Sequence, residues 1–309
     1  MAEKIVLGTR GSQLARAQAR LVGEAIQAAR PELKIDTKIV VTKGDQPGRL
    51  HIGDSPRGRK GLFTADIERA LLAEDVDVAV HSAKDLPSET SPGVEIAAVL
   101  QRAPIDDVLV SNSSGGLAAL PKGATIATGS VRRRHQLSWK RPDIKIVDLR
   151  GNVPTRLRKL AANDWDAIIL ARVGLERLGL SRACKQVNFE GRRFFLELLP
   201  SEIFLPAGGQ GIIALQIRSN DQRAKTIVDP VNDHETLLCL RAEREFLRLL
   251  HGDCNSPVGV LAKIDDGKMK LHAQVFDQAL AAPREGKVVG DRSDGERLAA
   301  QLLRHINAV

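Results

Sequence analysis

The fold is decided by the stretch Ile5-Val6-Leu7-Gly8-Thr9-Arg10-Gly11-Ser12, near the start of the chain. Its apolar residues predict a short strand, its glycines predict a turn, and Ser12 is suited to cap a following helix. Apolar residues then recur at helical spacing at Leu14, Ala17, Leu21 and Ala25, which predicts that this stripe faces the core. A strand, a turn and an amphipathic helix in this order are typical of an α/β fold, in which ligands bind beyond the carboxyl ends of the strands.

The same alternation continues along the chain from this stretch. Strands are predicted at 38–42 and 76–80, separated by a loop rich in glycine, proline and basic residues over 44–61 and by a helix over 63–73. A second α/β unit is predicted after residue 103. Its strands lie at 108–110, 125–127, 144–147 and 167–170, and its helices begin near Ser130 and Asn152.

The remainder of the chain predicts a return to the first sheet and then a third unit. Two apolar segments, 203–206 and 212–217, surround a glycine turn, and we interpret them as a second crossing between the first two units. From about residue 221 the pattern changes to a helix over 234–250, strands at 258–264 and 271–276, and a helix over 294–306. We therefore expect three domains: 1–100 with 201–218, 104–195, and a small α+β domain over 222–309.

Composition narrows the classes of partner. The chain has 46 Lys and Arg against 38 Asp and Glu, a net charge of +8, which suits an anionic partner. Aromatic residues make up only 3%, which argues against single-strand and RNA binding because those functions use stacking platforms. No apolar run is long enough to span a membrane, and the N-terminus has no signal-peptide core. Three cysteines predict free thiols, and we expect a cytoplasmic protein.

Two stretches resemble nucleotide-binding motifs but lack the required context. Residues 53–60 nearly match a P-loop, yet the lysine comes one position late and no serine or threonine follows it. Residues 209–214 match G-x-G-x-x-A, yet a strand rather than a helix is predicted to follow. Neither stretch predicts a nucleotide site.

Basic side chains recur where successive strands of the predicted sheets end. They are Arg10, Arg132, Arg133, Arg134, Arg150, Arg156, Arg172 and Arg177. Arginine pairs bidentately with carboxylates and phosphates, and neighbouring helix N-termini also favour anions. The pattern predicts a cleft for a polyanion, and the alternative is a solvated basic face.

Three further residues are candidates for chemistry. Asp85 follows an apolar strand and is suited to acid–base or electrostatic catalysis, although it could also cap a helix or pair with Lys84. Lys84 could form a Schiff base. Cys254 lies in a turn-rich segment where an exposed thiolate is possible, whereas Cys184 and Cys239 fit packing positions. No His/Cys cluster has the spacing of metal ligands, so no metal is predicted.

Together these segments resemble the porphobilinogen deaminase (hydroxymethylbilane synthase) family over nearly the whole chain. The matching motifs occur in the family's order at residues 8–15, 42–45, 60–63, 77–87, 129–133, 149–156, 174–179, 206–211 and 252–254. The resemblance implies three domains, of which the first two are similar to periplasmic binding proteins, with mixed, mostly parallel sheets and a double crossover.

The resemblance also implies an activity and a cofactor. The activity is a transferase reaction of tetrapyrrole biosynthesis that joins four porphobilinogen molecules head to tail, with release of ammonia. The cofactor is one dipyrromethane per chain, held by a thioether at Cys254. Substrate and cofactor carry acetate and propionate groups, which an arginine-lined cleft would bind. Loss of ammonia leaves positive charge on a pyrrole, which a fixed carboxylate would stabilise.

By position in the motifs, the resemblance assigns Asp85 as the catalytic carboxylate. The implied carboxylate-binding residues are Arg10, Ser12, Gln18, Ser82, Lys84, Ser130, Arg132, Arg133, Arg150, Arg156 and Arg177, and the implied lid residues are Lys60 and Phe63. The chain departs from the family's usual pattern at Gly129, where a serine is usual, at Gly208, where a valine is common, and around Pro56-Arg57 in the loop.

Two other hypotheses remain at this point. A non-catalytic solute-binding module would use the same cleft reversibly, without a covalent adduct. A DNA-binding regulator would use the helix that carries residues 132–135 and would show a steep salt dependence. For the favoured hypothesis we expect a monomer that binds a small molecule, and neither nucleic acid nor a membrane.

Overall fold

The computed structural model describes residues 3–42, 64–181, 185–251, 256–277 and 282–308. The predicted loop over 44–61, the lid residues Lys60 and Phe63, and Cys254 lie outside the described residues.

The first half of the chain mostly alternates strands and helices as predicted, and it has two further elements that were not predicted, a strand at 94–99 and a short helix at 116–119. Its elements are β1 (Lys4–Arg10), α1 (Gln13–Ala29), β2 (Lys34–Val40), α2 (Ala65–Leu72), β3 (Val78–Ser82), β4 (Val94–Val99), β5 (Asp107–Ser111), α3 (Gly116–Ala119), β6 (Thr125–Ala127), α4 (Val131–Lys140) and β7 (Lys145–Val147).

The second half completes two sheets and adds a third. Its elements are α5 (Val153–Ala162), β8 (Ala167–Ala171), α6 (Arg172–Arg177), β9 (Gln186–Phe189), β10 (Arg192–Leu199), β11 (Ile213–Arg218), α7 (Gln222–Val228), α8 (His234–Leu249), β12 (Val258–Asp265), β13 (Lys268–Val275), β14 (Arg284–Asp291) and α9 (Gly295–Asn307).

The first sheet contains five strands in the order β2-β1-β3-β11-β4. Strand β1 pairs in parallel with β2 and β3, whereas β11 runs antiparallel between β3 and β4. Four of these strands therefore point in one direction, and their carboxyl ends share one edge. The apolar faces of β1, β3 and β11 pack against α1 and α7 in one buried cluster.

The second sheet contains six strands in the order β7-β6-β8-β5-β10-β9. Strands β6, β7 and β8 are parallel, and β5 and β10 continue the sheet with antiparallel pairs. The chain enters this sheet between β4 and β5 and leaves it between β10 and β11. These two connections, the crossovers, confirm the predicted double crossing and the mixed α/β fold class.

The third sheet is an antiparallel meander of β12, β13 and β14. Helices α8 and α9 cover one face, where Phe246, Leu298 and Leu302 pack on Leu271 and Val260. The third sheet contacts the second crossover, where the Val260 N–H donates to the Pro206 carbonyl oxygen at 2.9 Å. The part of the chain predicted as a small α+β unit therefore has that architecture.

Ser12 caps α1 as predicted, accepting the Ala15 N–H at 3.2 Å, but the predicted stripe on this helix is wrong by one position. The buried face consists of Ala15, Gln18, Ala19, Val22 and Ile26. The predicted stripe lies beside that face and is only half-buried. Leu14 faces α6 of the second unit, since a Cβ placed on Gly174 would lie 3.9 Å from its Cδ2. The helix is apolar on two adjacent faces because it contacts two units.

Candidate active site

Strand β3 delivers the candidate catalytic carboxylate to the carboxyl edge of the first sheet. The strand ends at Ser82, and a single 3-10 turn over Ala83–Asp85 follows directly. The Asp85 side chain is exposed at this edge. Within the described residues its carboxylate makes no hydrogen bond or ion pair, so its lone pairs are available to a ligand.

Helix α1 and strand β1 bring three more predicted residues to the same edge. Gln18 is buried and exchanges two hydrogen bonds with Ser82: its Nε2 donates to the serine Oγ at 2.8 Å, and that Oγ donates to Oε1 at 3.1 Å. Arg10 ends β1, and its charge acts on the ring of His81 in β3. Ser12 uses its hydroxyl as the cap of α1.

The second sheet contributes the opposite wall, of which Arg156 is the central residue. Its Nε donates to the Gly151 carbonyl oxygen at 2.7 Å. Burial and the nearby charge of Arg133 lower the pKa of Arg156 to about 10, whereas Asp85 and Asp148 favour its charged form. A side chain of the second unit thus interacts with Asp85 of the first, so the two walls face each other across one cleft.

Lys84 is the cation that the first sheet contributes to its own wall of the cleft, as Arg156 is for the second sheet. Burial, followed by the charge of Arg133, lowers its pKa to about 8, and Asp85 and Asp107 oppose that change. Arg177 lies on α6, where its Nη2 donates to the Gly211 carbonyl oxygen at 2.7 Å and burial lowers its pKa to about 10. Because burial disfavours all three charges, and Arg133 further disfavours those of Lys84 and Arg156, an anion in the cleft would be bound favourably.

Arg132 and Arg133 lie at the start of α4, where Ser130 is the N-cap and accepts the Arg133 N–H at 3.4 Å. Both arginines are almost fully buried around Asp107. Arg133 pairs with it bidentately at 2.6 and 3.0 Å, and Arg132 reaches it at 2.9 Å. Arg132 also donates to Gln136 and to the Leu205 carbonyl oxygen, each at 2.8 Å. These bonds are structural, and a contact of Arg132 with a cofactor carboxylate stays a prediction.

The inward direction of these arginines also bears on the DNA-binding hypothesis. A recognition helix must present its basic side chains to a groove, whereas Arg132 and Arg133 are only 4% and 5% exposed. Arg150 is more exposed, and it pairs with Asp148 at 2.8 Å near the edge of the cleft. The described geometry therefore favours a small anionic ligand between the sheets.

Comparison with known proteins agrees with this geometry. Residues 5–226 match the family model described as "Porphobilinogen deaminase, dipyromethane cofactor binding domain", and residues 237–306 match the model for the C-terminal domain of the same family. The chain belongs to the porphobilinogen deaminase family. The sites described above therefore lie in the family's cofactor-binding domain.

Individual relatives give the same result. The porphobilinogen deaminase of Syntrophomonas wolfei is 44% identical over 269 residues, covering 87% of this chain and 84% of the relative. That of Roseiflexus sp. is 40% identical over 315 residues, covering 98% and 97%. Among solved structures, the methionine-binding protein MetQ aligns with a TM-score of 0.44 at 12% identity, covering 76% of this chain and 92% of that chain.

The residues in the cleft fit the cofactor of the porphobilinogen deaminase family. Dipyrromethane is a polycarboxylate, and Lys84, Arg156 and Arg177 make no ion pair within 4 Å in the described part of the chain. Each of the three has a lowered pKa. Carboxylates placed among them would relieve that unfavourable burial.

The group of residues that joins the two walls of the cleft is centred on Gln210 and was not predicted from the sequence. This fully buried residue donates to Asp107 at 2.9 Å and accepts from Lys84 at 3.3 Å. Its flanking residues, Gly209 and Gly211, have φ angles of +74° and +90°. The sequence signal for this group was Gly209-Gln210-Gly211. Its two glycines allow the crossovers to approach each other closely, and they do not form a nucleotide site.

A second buried ion pair fastens this crossing to the third sheet. Arg102, in the first crossover, pairs with Glu243 of α8 at 2.6 Å, and the Glu243 side chain is fully buried. The same carboxylate accepts the Gly209 N–H at 2.7 Å and the Ala262 N–H at 2.8 Å. One carboxylate of α8 thus ties both crossovers to β12.

Two departures from the family's usual residues have local explanations. A Cβ at Gly129 would overlap the Leu149 carbonyl oxygen, so the serine usual in the family does not fit this backbone. A Cβ at Gly208 would lie 2.9 Å from Leu247 Cδ1 and 3.0 Å from Val260 Cγ1. Side chains of α8 and β12 therefore lie close to residue 208, and Leu247 would have to shift to admit a larger side chain there.

Of the cysteines, the structure describes Cys239. It is buried on α8, and burial together with the charge of Glu243 raises the pKa of its thiol to about 12, so it is unreactive near neutral pH. The described residues contain no group of three or more metal-ligating side chains. No helix among them is both long and apolar enough to cross a bilayer.

Proposed function

We propose that this chain condenses four porphobilinogen molecules head to tail into hydroxymethylbilane, on a dipyrromethane attached to Cys254. The observation that carries the proposal is the pairing of an unbonded carboxylate, Asp85, with cations that lack ion-pair partners among the described residues, across one cleft. This combination matches a substrate with carboxylate side groups and a reaction that develops positive charge.

The cationic walls select and hold the substrate. Each porphobilinogen brings an acetate and a propionate, so every added ring brings two further negative charges. Arg156 and Arg177 can each offer a planar, bidentate fork to such groups, and Lys84 offers a point charge. Arg10, Arg150 and the hydroxyl of Ser130 extend this surface along the edges of both sheets.

Asp85 supplies the catalytic electrostatics. When the aminomethyl C–N bond breaks, ammonia leaves with the electron pair and positive charge spreads onto the substrate's pyrrole nitrogen. A carboxylate at that N–H stabilises the charge because it is fixed in place before the reaction begins. Asp85 can also take up the proton lost from the attacking ring carbon after the new C–C bond forms. Its location on a short turn after β3 holds it in position.

The cofactor has a defined place in this proposal. When bound, it supplies the pyrrole carbon to which the first substrate is joined. Lys84, Ser130, Arg133 and Arg156 would hold its carboxylates, and Cys254, between α8 and β12, would anchor it. Ser12, Gln18 and Ser82 would position the edge of the first wall, and Lys60 and Phe63 belong to the proposed lid.

The organisation of the molecule is part of the same proposal. We take residues 1–100 with 201–218 as the domain that carries Asp85, residues 104–195 as the arginine-rich domain, and residues 222–309 as the domain that carries Cys254. The enzyme would act as a cytoplasmic monomer that uses neither nucleic acid nor a membrane.

Intact-mass measurement of the purified chain tests the proposal directly. The wild type should be heavier than its sequence by one dipyrromethane, and Cys254→Ser should lose that mass. Asp85→Asn should keep the cofactor mass but lose turnover of porphobilinogen. Asp75→Asn is the matched control, because Asp75 forms an exposed ion pair with Lys38. If cofactor-loaded wild type does not consume porphobilinogen, the proposal is wrong.

A further inference from the structure

We infer that Gln210 is a positioning residue of this site: its amide holds the Lys84 ammonium against the Arg133–Asp107 ion pair, so that both cations keep one arrangement. The inference rests on the proposed function only in taking Lys84 and Arg133 as ligands of carboxylates. Gln210 itself is fully buried, so it acts through these neighbours and not on the substrate.

The hydrogen bonds of the Gln210 side chain fix the orientation of its amide. Nε2 donates to the Ile105 carbonyl oxygen at 2.6 Å and to Asp107 Oδ1 at 2.9 Å, which uses both of its protons. Oε1 accepts from Lys84 Nζ at 3.3 Å. A flipped amide would place its oxygen against two acceptors and its nitrogen against an ammonium. One orientation therefore satisfies every partner.

The backbone of Gln210 is equally constrained. Its N–H donates to the Ala207 carbonyl oxygen at 3.0 Å, and its own carbonyl oxygen accepts from Arg102 Nε at 3.0 Å. A Cβ at Gly209 would lie 2.9 Å from the backbone nitrogen of Lys84, which shows how closely the second crossover approaches the turn after β3. The side chain thus lies at a fixed point between the two sheets.

The charges around Lys84 explain why this neutral contact matters. Asp85 acts on it from its own turn, Asp107 from β5, and Arg132 and Arg133 from α4. Both arginines already pair with Asp107, whereas Lys84 makes no ion pair with this carboxylate within 4 Å. Among the described residues, the side-chain carbonyl of Gln210 is the group that accepts a hydrogen bond from the Lys84 ammonium. Removing it favours the neutral amine.

The titration of Lys84 tests this inference without relying on turnover. The purified, cofactor-loaded chain is labelled with trace acetic anhydride between pH 6 and 10, and acetylation of Lys84 is read by peptide mass spectrometry. In Gln210→Met the titration midpoint of Lys84 should fall, with about a fivefold gain in relative reactivity near pH 7.

Gln216→Met is the matched control. Gln216 is a buried glutamine of β11 that bonds to Glu68 at 2.9 Å and to His81 at 3.1 Å, neither of which is among the groups that act on Lys84, so the Lys84 midpoint should equal that of wild type in this variant. Local unfolding would instead raise the midpoint of Gln210→Met toward that of an ordinary lysine. Either that rise or an unchanged midpoint overturns the inference.

Kinetics give a second and separable readout. Loss of positioning should raise KM for porphobilinogen in Gln210→Met more than it lowers kcat, since Lys84 and Arg133 bind carboxylates while Asp85 is untouched. An unaltered KM alongside a reduced kcat contradicts the assigned role. Absence of turnover in wild type would contradict the proposed function and would leave the labelling result valid.

Discussion

Asp107 is the buried carboxylate that pairs with both arginines at the start of α4. Its carboxylate is fully buried and contacts two guanidinium groups and the amide of Gln210. Burial alone would raise the pKa of Asp107, but Arg132 and Arg133 outweigh burial and hold that pKa well below its usual value. The carboxylate is therefore ionised near neutral pH, and it fixes the start of α4.

We predict that Asp107→Asn lowers the free energy of unfolding by about 3–5 kcal/mol, because two buried arginines lose their counter-charge. Urea denaturation at neutral pH measures this loss. The control is Asp36→Asn, which breaks an exposed pair with Lys4 and should leave the free energy of unfolding almost unchanged. Equal effects of the two substitutions would contradict the structural role of Asp107.

His81 gives the molecule a predictable acid sensitivity. Its ring Nε2 faces Gln216 Oε1 at 3.1 Å, and Gln216 Nε2 in turn donates to Glu68 at 2.9 Å. Since the amide oxygen of Gln216 can only accept, the ring must carry its proton on Nε2. Burial lowers the pKa of His81 to about 4 from an ordinary value of 6.5.

The unfolded chain therefore binds a proton at His81 at a higher pH than the folded chain does. This contribution to stability is complete above pH 6.5 and is lost as the pH falls toward 4, with about 2 kcal/mol lost between pH 7.5 and pH 5. Urea midpoints across this range should fall less steeply in His81→Gln than in wild type. The exposed His305→Gln should follow wild type, and parallel profiles for all three would rule out His81 as the cause.

Among the structural elements, the turn formed by Gly209, Gln210 and Gly211 leaves the least room for substitution. Both glycines have positive φ angles, and a Cβ on Gly211 would overlap the carbonyl oxygen of Ala103 in the first crossover. The two crossovers can therefore lie against each other only if this turn has no side chain at either flank.

We predict that Gly211→Ala lowers stability by about 1–2 kcal/mol for the backbone strain and by a further amount for the overlap, and that it reduces turnover. Gly267→Ala is the matched control, because Gly267 has a φ of +73° but a Cβ added there would meet no atom of the described residues within 4 Å. Its cost should be the strain alone, with turnover unchanged. Urea midpoints and porphobilinogen consumption separate the two effects, and indistinguishable variants would refute the crowding argument.

Local chemistry explains which elements were predictable. Helices α1, α4 and α5 follow directly after Ser12, Ser130 and Asn152, near which their starts were predicted. Each of these side chains accepts a backbone N–H of its helix, a cap that was predicted for Ser12 alone. Strand β14 was missed because Val288 is its single buried residue. Strand β2 begins and ends earlier than predicted because its pairing with β1, and not its own apolar content, sets its register.

The site was predictable to a different degree. Residues that follow strands, such as Asp85 and Arg156, could be found because the carboxyl ends of the strands mark the binding edge. The partnership of Asp107 with Gln210 spans 103 positions and depends on how the crossovers meet. No local pattern encodes that contact, so it required the structure.

The whole molecule carries a net positive charge, and its cleft concentrates cations that lack ion-pair partners among the described residues. We predict that KM for porphobilinogen rises several-fold between about 0.05 and 0.5 M NaCl, because salt screens the attraction between the substrate's carboxylates and these cations. Steady-state kinetics at several salt concentrations measure the slope, and kcat should change little.

Substitution of one cleft cation should flatten this slope. Arg177→Gln should raise KM at low salt and reduce its dependence on salt. Arg158→Gln should keep the wild-type slope, since Arg158 forms an exposed pair with Glu190 at 2.7 Å on the outer surface. A slope that is the same in all three proteins would show that attraction by the cleft does not govern substrate capture.

The antiparallel insertion of β11 has a consequence for biosynthesis. This strand lies between β3 and β4, which are made more than a hundred positions earlier, so the first sheet has a gap until residue 218 leaves the ribosome. The second sheet is fully translated by then, because its last strand ends at Leu199. During translation, then, the later-encoded arginine-bearing wall can assemble first, and the earlier-encoded wall with Asp85 has to wait for it.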